Sequence, residues 1–290
     1  AGMAYMEKFV KKWKGHTLIV PAIAPHAPYT VSTEHLKQAR EFATRHQVPL
    51  VIHIAEDYAE IKTIQERYNA TPVAYLDRIG LLDTSVIAAH MVWPSDDDIK
   101  TLAARSVGVA HCPQSNMKLA AGTSPVPQML RAGVAVGLGT DGAASNNDLS
   151  LWEEIDTAAK LHKLISKDPT TLNAREALAM ATIGGARAIN MEKEIGSLET
   201  GKRADIIIVG MQSPRQTPLY NVFSHLVYAT KASDVETVMI DGKVIMQNRR
   251  VLTINEPAVR ARANQYRDQI RKSVESNINS KLTTQPRSGL

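Results

Sequence analysis

One cysteine, Cys112, in 290 residues leaves no partner for an internal disulfide, so no disulfide-stapled secreted framework is implied. Aromatic residues are few, 5% of the chain, and the packed core is expected to be aliphatic. No apolar run approaches the about 20 residues needed to cross a bilayer. No signal-peptide pattern opens the sequence. The expectation is a soluble cytoplasmic protein with no membrane partner. No Walker loop and no Gly-x-Gly-x-x-Gly is present, so nucleoside-triphosphate and dinucleotide binding fall away. Ser145 is the obvious serine nucleophile, but its context "AASNN" lacks the Gly-x-Ser-x-Gly elbow. No internal repeat is found. Charge is only mildly one-sided: 34 Lys and Arg against 29 Asp and Glu, net +5. Much of the excess lies near the ends, in "EKFVKKWKGH" and "VRARANQYRDQIRK". Such scattered basic residues read as solvated helix faces, and no nucleic-acid partner is expected.

What is present is a rhythm. Short runs rich in Val, Ile and Ala end in a polar residue: "TLIVPAIAPH" at His26, "PLVIHIAED" with His53 and Glu56, "SVIAAH" at His90, "VGVAHC" at His111 and Cys112, and "VAVGLGTD" at Asp141. Runs without polar alternation read as strands buried on both faces of a parallel sheet. Helical stretches separate them. "STEHLKQAREFATRHQ" opens on Ser32 as N-cap, "SPVPQMLRAG" closes on Gly133, and "LSLWEEIDTAAKLHKLI" and "NAREALAMATIGGARAI" read as two amphipathic helices. This is the βα alternation of an α/β barrel or doubly wound sheet, whose active-site residues sit at the C-terminal strand ends. After about residue 190 the pattern changes to "RADIIIV" and a hairpin, "VETVMIDGKVIMQNRRV", turning on Asp241 and Gly242. A basic helix over 256–275 and a disordered tail over 276–290 complete the expected layout: a barrel portion over 1–190 and a small β unit over 191–255.

Singly, each strand-end residue has a structural explanation. A lone His satisfies itself in a core, a terminal Asp caps the next helix, and Cys112 is a small buried residue. Jointly, His53 with Glu56, His90, and Asp141 end three separate strands of one sheet. Imidazole with carboxylate suits Zn2+ or a similar divalent ion, and a metal-assisted hydrolase is the natural reading.

The stretches "APHAPYTVS", "VIHIAED", "VIAAHMVW", "VAHCPQSNMKLAAGTSPVPQML" and "VGLGTDGAASNNDL" resemble the amidohydrolase superfamily, and within it the branch of 5-methylthioadenosine/S-adenosylhomocysteine deaminases. "IGSLETGKRADIIIV" resembles the return of that superfamily's chain to its small β-sandwich domain. The resemblance implies a (β/α)8 TIM-type barrel, here strands four to eight, with part of the β-sandwich and a C-terminal helix. It implies His53 and Asp141 as metal ligands, with Zn2+ preferred over Fe2+ or Mn2+. It implies Glu56 as purine contact and proton shuttle, His26 and Ser145 as substrate-binding, and His90 holding or polarising the attacking water. His111 receives no role. The implied reaction is hydrolytic deamination of adenosine, 5′-methylthioadenosine or S-adenosylhomocysteine, a small purine nucleoside, to the inosine-type product and ammonia. The resemblance is compatible with a homo-oligomer. Triazine or guanine hydrolases of the same superfamily form the alternative, as does a non-catalytic remnant.

The family's metal site takes a His-x-His pair from its first barrel strand. The nine histidines here are all single. By the match, the chain starts before the fourth strand, and five strand ends fall before residue 190, against a barrel of eight strands and about 250 residues. The expectation is therefore an incomplete site with two protein ligands, inactive as this chain alone, into which His90 moves as a third at most.

Overall fold

The computed structural model describes residues 2–83 and 85–284. In chain order the elements are α1 (Gly2–Trp13), α2 (Thr33–His46), β1 (Leu50–Ile54), α3 (Tyr58–Tyr68), α4 (Pro72–Arg78), β2 (Val86–His90), α5 (Asp96–Arg105), β3 (Gly108–His111), α6 (Pro113–Lys118), α7 (Val126–Arg131) and β4 (Val136–Leu138). There follow α8 (Leu151–Ser166), α9 (Ala174–Met180), α10 (Ile183–Ala188), β5 (Ile206–Val209), α11 (Val222–Tyr228), β6 (Val235–Ile240), β7 (Lys243–Gln247), β8 (Arg250–Val251) and α12 (Glu256–Thr284).

Local chemistry sets the helix starts. Ser32 accepts the His35 N–H at the head of α2, Asp57 that of Glu60 at α3, and Ser150 that of Glu153 at α8. Ser95 with Asp98, and Asn173 with Glu176, make reciprocal capping boxes on α5 and α9.

β1 to β4 form one parallel sheet in sequential order. Leu50, Ile52 and Ile54 of β1 are buried and pack into the core with Leu36, Ile64, Leu76 and Leu102 from the helices, while Val51 and His53 lie on the half-buried opposite face. The register pairs Ile54 with His90 and His111 with Leu138, so the C-terminal ends of all strands fall on one edge. The four strands are the strand-five-to-eight portion of the expected barrel, the expected fourth being reduced to a bridge, and among the described residues no strand pairs with the far side of β4.

The run ending at His26, expected as a strand, makes a single bridge, Ile23 to Leu50. Ile23 donates to Pro49 O at 2.8 Å and accepts from Val51 N at 2.8 Å. Pro21 and Pro25 flank it, and neither has an N–H to extend a ladder. The expected helix over "NAREALAMATIGGARAI" is broken in two, because Thr182 leaves helical geometry at φ −127° and ψ −107°. The break lets α10 lie flat on the sheet: a Cβ on Gly108 would stand 1.8 Å from the Ala188 carbonyl oxygen, and one on Gly137 2.7 Å from Gly185 Cα. Gly133 follows the C-cap Ala132 of α7 in the left-handed region, φ 83°.

β5 to β8 form a separate antiparallel sheet. The β6–β7 hairpin turns on Asp241 and Gly242, both left-handed at φ 49° and 76°, as a two-residue type I′ turn requires. The helix expected over 256–275 continues to Thr284, through much of the expected disordered tail; residues 285–290 lie outside the described residues. Among the described residues no helix is long and apolar enough to cross a membrane.

Candidate metal centre

Strand alternation would send His90 with Ile54 to the helix-facing side of the sheet. The backbone prevents this. His90 and Met91 sit in the left-handed region at φ 73° and 48°, and the His90 ring comes to stack beside that of His53, centroids 5.4 Å apart. Asp141, past the end of β4, is also left-handed at φ 60°. Left-handed backbone at residues bearing a Cβ costs of order 1–3 kcal/mol each and concentrates at functional sites. Here it aims side chains from separate strands at one point. A ligand atom from each of His53, His90 and Asp141 lies within 4.8 Å of the others.

The remaining polar atoms of all three side chains are occupied. His53 Nδ1 is 2.6 Å from the His26 carbonyl oxygen. A carbonyl can only accept, so Nδ1 carries the proton and Nε2 presents a lone pair. His90 Nδ1 is 3.0 Å from Asn116 Oδ1, again leaving Nε2 free. Asp141 Oδ2 accepts from Ser115 Oγ at 2.7 Å and from Ser145 Oγ at 2.5 Å. Burial works to raise the Asp141 pKa, but the hydrogen bonds from Ser145, Ser115 and the Gly142 N–H, with attraction to His90, outweigh it and hold the carboxyl below its ordinary value. Two imidazole nitrogens and one carboxylate oxygen are a donor set that fits Zn2+.

Glu56 lies at the rim, its Oε1 3.8 Å from His90 Nε2. Its turn is held from beneath by Glu60, whose two oxygens accept the Ala55 and Glu56 N–H groups at 2.9 Å each. Glu60 is buried, and burial pushes its pKa up to about 7 despite those bonds. His26 stands beside His53, ring centroids 5.0 Å apart, with Nδ1 2.8 Å from Thr30 Oγ1. The partly buried Tyr29 stands edge-on to His26 at 6.0 Å.

The sequence-derived residues therefore converge, with two differences in placement. His90, read as a partner of the water, stands with His53 and Asp141 in a group that could hold a metal ion. Ser145, read as substrate-binding, spends its hydroxyl on Asp141. Ser115, Asn116 and Glu60 received no role from sequence. The first two lie in the quoted "SNMKL" stretch, which was the available signal. His111 stays outside the cluster, fully buried with Nε2 3.3 Å from His162 Nε2. Burial first, and then the neighbouring His162, push its pKa well down. Burial, then the charges of Asp141 and Glu154, push the Cys112 thiol up to about 12, which removes it as a nucleophile.

The amidohydrolase family model matches residues 2–245. The 5-methylthioadenosine/S-adenosylhomocysteine deaminase of Syntrophobacter fumaroxidans is 48% identical over 261 residues, 90% of this chain and 60% of its own length. The 5′-deoxyadenosine deaminase of Methanosarcina mazei is 49% identical over 255 residues, 87% of this chain and 59% of its own. A crystal structure of an adenosine deaminase from Xanthomonas campestris with bound zinc superposes with a TM-score of 0.91 at 40% identity, covering 93% of this chain and 62% of that one. The chain thus spans about 60% of the length of the curated relatives it matches.

Proposed function

Since this chain belongs to the amidohydrolase family, we propose that His53, His90 and Asp141 are the metal-holding residues of a hydrolytic deaminase acting on the adenine ring of a 5′-substituted adenosine. One observation carries the metal reading: each side chain has its other polar atom engaged in a hydrogen bond, which leaves one ligand atom on each directed at the others. The substrate class rests on the relatives' names. Water adds to C6 of the purine, the exocyclic nitrogen leaves as ammonia, and an inosine-type product results.

A divalent ion, Zn2+ on this donor set, with Fe2+ or Mn2+ as substitutes, would supply the Lewis acidity that brings ionisation of a water toward neutral pH. The chain's own groups do the rest. Asp141, kept ionised by its hydrogen bonds, takes the proton of the attacking water and passes it to the departing amine, which leaves as ammonia. Glu56, on a turn held by Glu60, delivers a proton to the ring nitrogen so that C6 becomes tetrahedral. His90 Nε2 stands 3.8 Å from Glu56 Oε1, which places the Glu56 carboxylate at the edge of the donor cluster. His26, with Nδ1 directed at Thr30, offers its other nitrogen to the substrate. Residues 1–190 are assigned to this catalytic unit and 191–255 to an appended β unit, in a cytoplasmic protein able to form homo-oligomers.

The test is to load the purified chain with Zn2+. Bound metal is measured by elemental analysis, and ammonia release is followed from 5′-methylthioadenosine, S-adenosylhomocysteine and 5′-deoxyadenosine. With His90 as a third donor beside the two expected from sequence, uptake of one equivalent with ammonia release, both lost in Asp141→Asn, replaces the expectation of an inactive chain. Zinc uptake without ammonia from any of the three would remove the deaminase assignment for this chain but keep the metal centre. No uptake would remove both.

A further inference from the structure

Glu154 is a fully buried carboxylate on α8. Both its oxygens are taken by donors from different segments: Oε2 by the backbone N–H of Gln114 at 3.1 Å, and Oε1 by the side-chain amide of Asn146. Each partner is the chain neighbour of one serine on Asp141. Ser115 follows Gln114, and Ser145 precedes Asn146. Those serines bring their hydroxyls to one oxygen, Asp141 Oδ2. α6 has no side-chain cap at Cys112, so Glu154 also serves an N–H in its first turn. Gln114 reinforces the joint through Nε2 to Thr157 Oγ1 at 3.1 Å.

We propose that Glu154 is a positioning residue for the metal centre: it joins α6 to the 142–149 loop so that Ser115 and Ser145 converge on Asp141 Oδ2 and leave Oδ1 to the cation. The inference rests on His53, His90 and Asp141 being ligands. The chemistry requires a carboxylate. Both partners are donors, and two acceptor oxygens on one side chain meet both. A glutamine would put an NH2 against one of them. The carboxylate is also costly, since burial pushes its pKa up to about 7. An apolar residue would serve packing better, so the charge answers to something other than stability. Lys118 ties the same loop to α6 from the solvent side, through Ala144 O at 2.8 Å and Asn147 Oδ1 at 2.6 Å. The loop therefore stays tethered when Glu154 is changed.

Co2+ affinity, read from visible absorption against a competing chelator, tests the role in four forms of the chain: unsubstituted, Glu154→Gln, the Ser115→Ala/Ser145→Ala pair, and all three changes together. Glu154→Gln is expected to weaken Co2+ about 10- to 100-fold, as loss of outer-shell partners does. In the serine-free background the same change should alter affinity less than about 2-fold, because its route to Asp141 is gone. Asn146→Ala, which breaks one arm and leaves Glu154 in place, should weaken Co2+ as Glu154→Gln does, and keeps the test open if that variant does not fold. A merely structural Glu154 would instead lower urea stability equally in both backgrounds and leave Co2+ affinity alone. Unchanged affinity in Asn146→Ala and Glu154→Gln, or an undiminished effect without the serines, overturns the proposal. Absence of Co2+ uptake by the unsubstituted chain overturns the metal centre itself, and the positioning role with it.

Discussion

Replacing Glu60 by Gln should make this protein more stable at pH 8 and less able to hold Glu56. Glu60 is 2% exposed, and burial raises its pKa from 4.5 to about 7. One pKa unit corresponds to about 1.36 kcal/mol, so ionising Glu60 in the folded chain costs ~3 kcal/mol more than in the unfolded one. Because the folded pKa is the higher, the folded state binds more protons between pH 4.5 and 7. The stability that Glu60 contributes is fully present below pH 4.5 and is lost as pH rises through 7. A protonated Glu and a Gln offer the same hydrogen-bond inventory, one acceptor and donor hydrogens. Glu60→Gln should therefore match the unsubstituted chain near pH 4.5 and exceed it by up to ~3 kcal/mol at pH 8. Urea unfolding at the two pH values, followed by circular dichroism, measures this. The same variant accepts one N–H of the Ala55–Glu56 turn where the carboxylate accepts two, so it should deaminate more slowly at pH 8. Lower stability of Glu60→Gln at pH 8 would show that the paired N–H donors outweigh desolvation, and would refute the reasoning.

Gly108→Ala should destabilise the chain by about 3 kcal/mol or prevent folding, read as a fall in Tm, because the new methyl overlaps the Ala188 carbonyl and α10 must lift off the sheet. Asn116→Ala frees Nδ1 of the buried His90; metal affinity by chelator competition should fall roughly 10-fold with little change in global stability. Cys112, 4% exposed with its thiol pushed up to about 12, should resist a disulfide-exchange reagent at pH 8 in the folded chain and react fully in urea.

The chain's pattern alone determined the βα alternation, the β hairpin on Asp241–Gly242, the Ser32 cap and the strand-end positions of His53, His90 and Asp141. These are local signals: apolar runs of strand length, a turn dipeptide that tolerates positive φ, a hydroxyl before a helix. Tertiary structure decided the rest. Pro21 and Pro25 reduce an expected strand to one bridge, a cost that shows once a neighbouring strand asks for N–H donors. The break at Thr182 follows from the glycine faces of α10 and the sheet meeting at contact distance. The turn of His90 into the donor cluster depends on a left-handed backbone at a residue that is not glycine, which no composition signals. Ser115 and Asp141 are 26 residues apart, and Gln114 and Glu154 40. Hydrogen bonds over such separations have no periodicity to read; they exist because the parallel register brings every strand end to one edge.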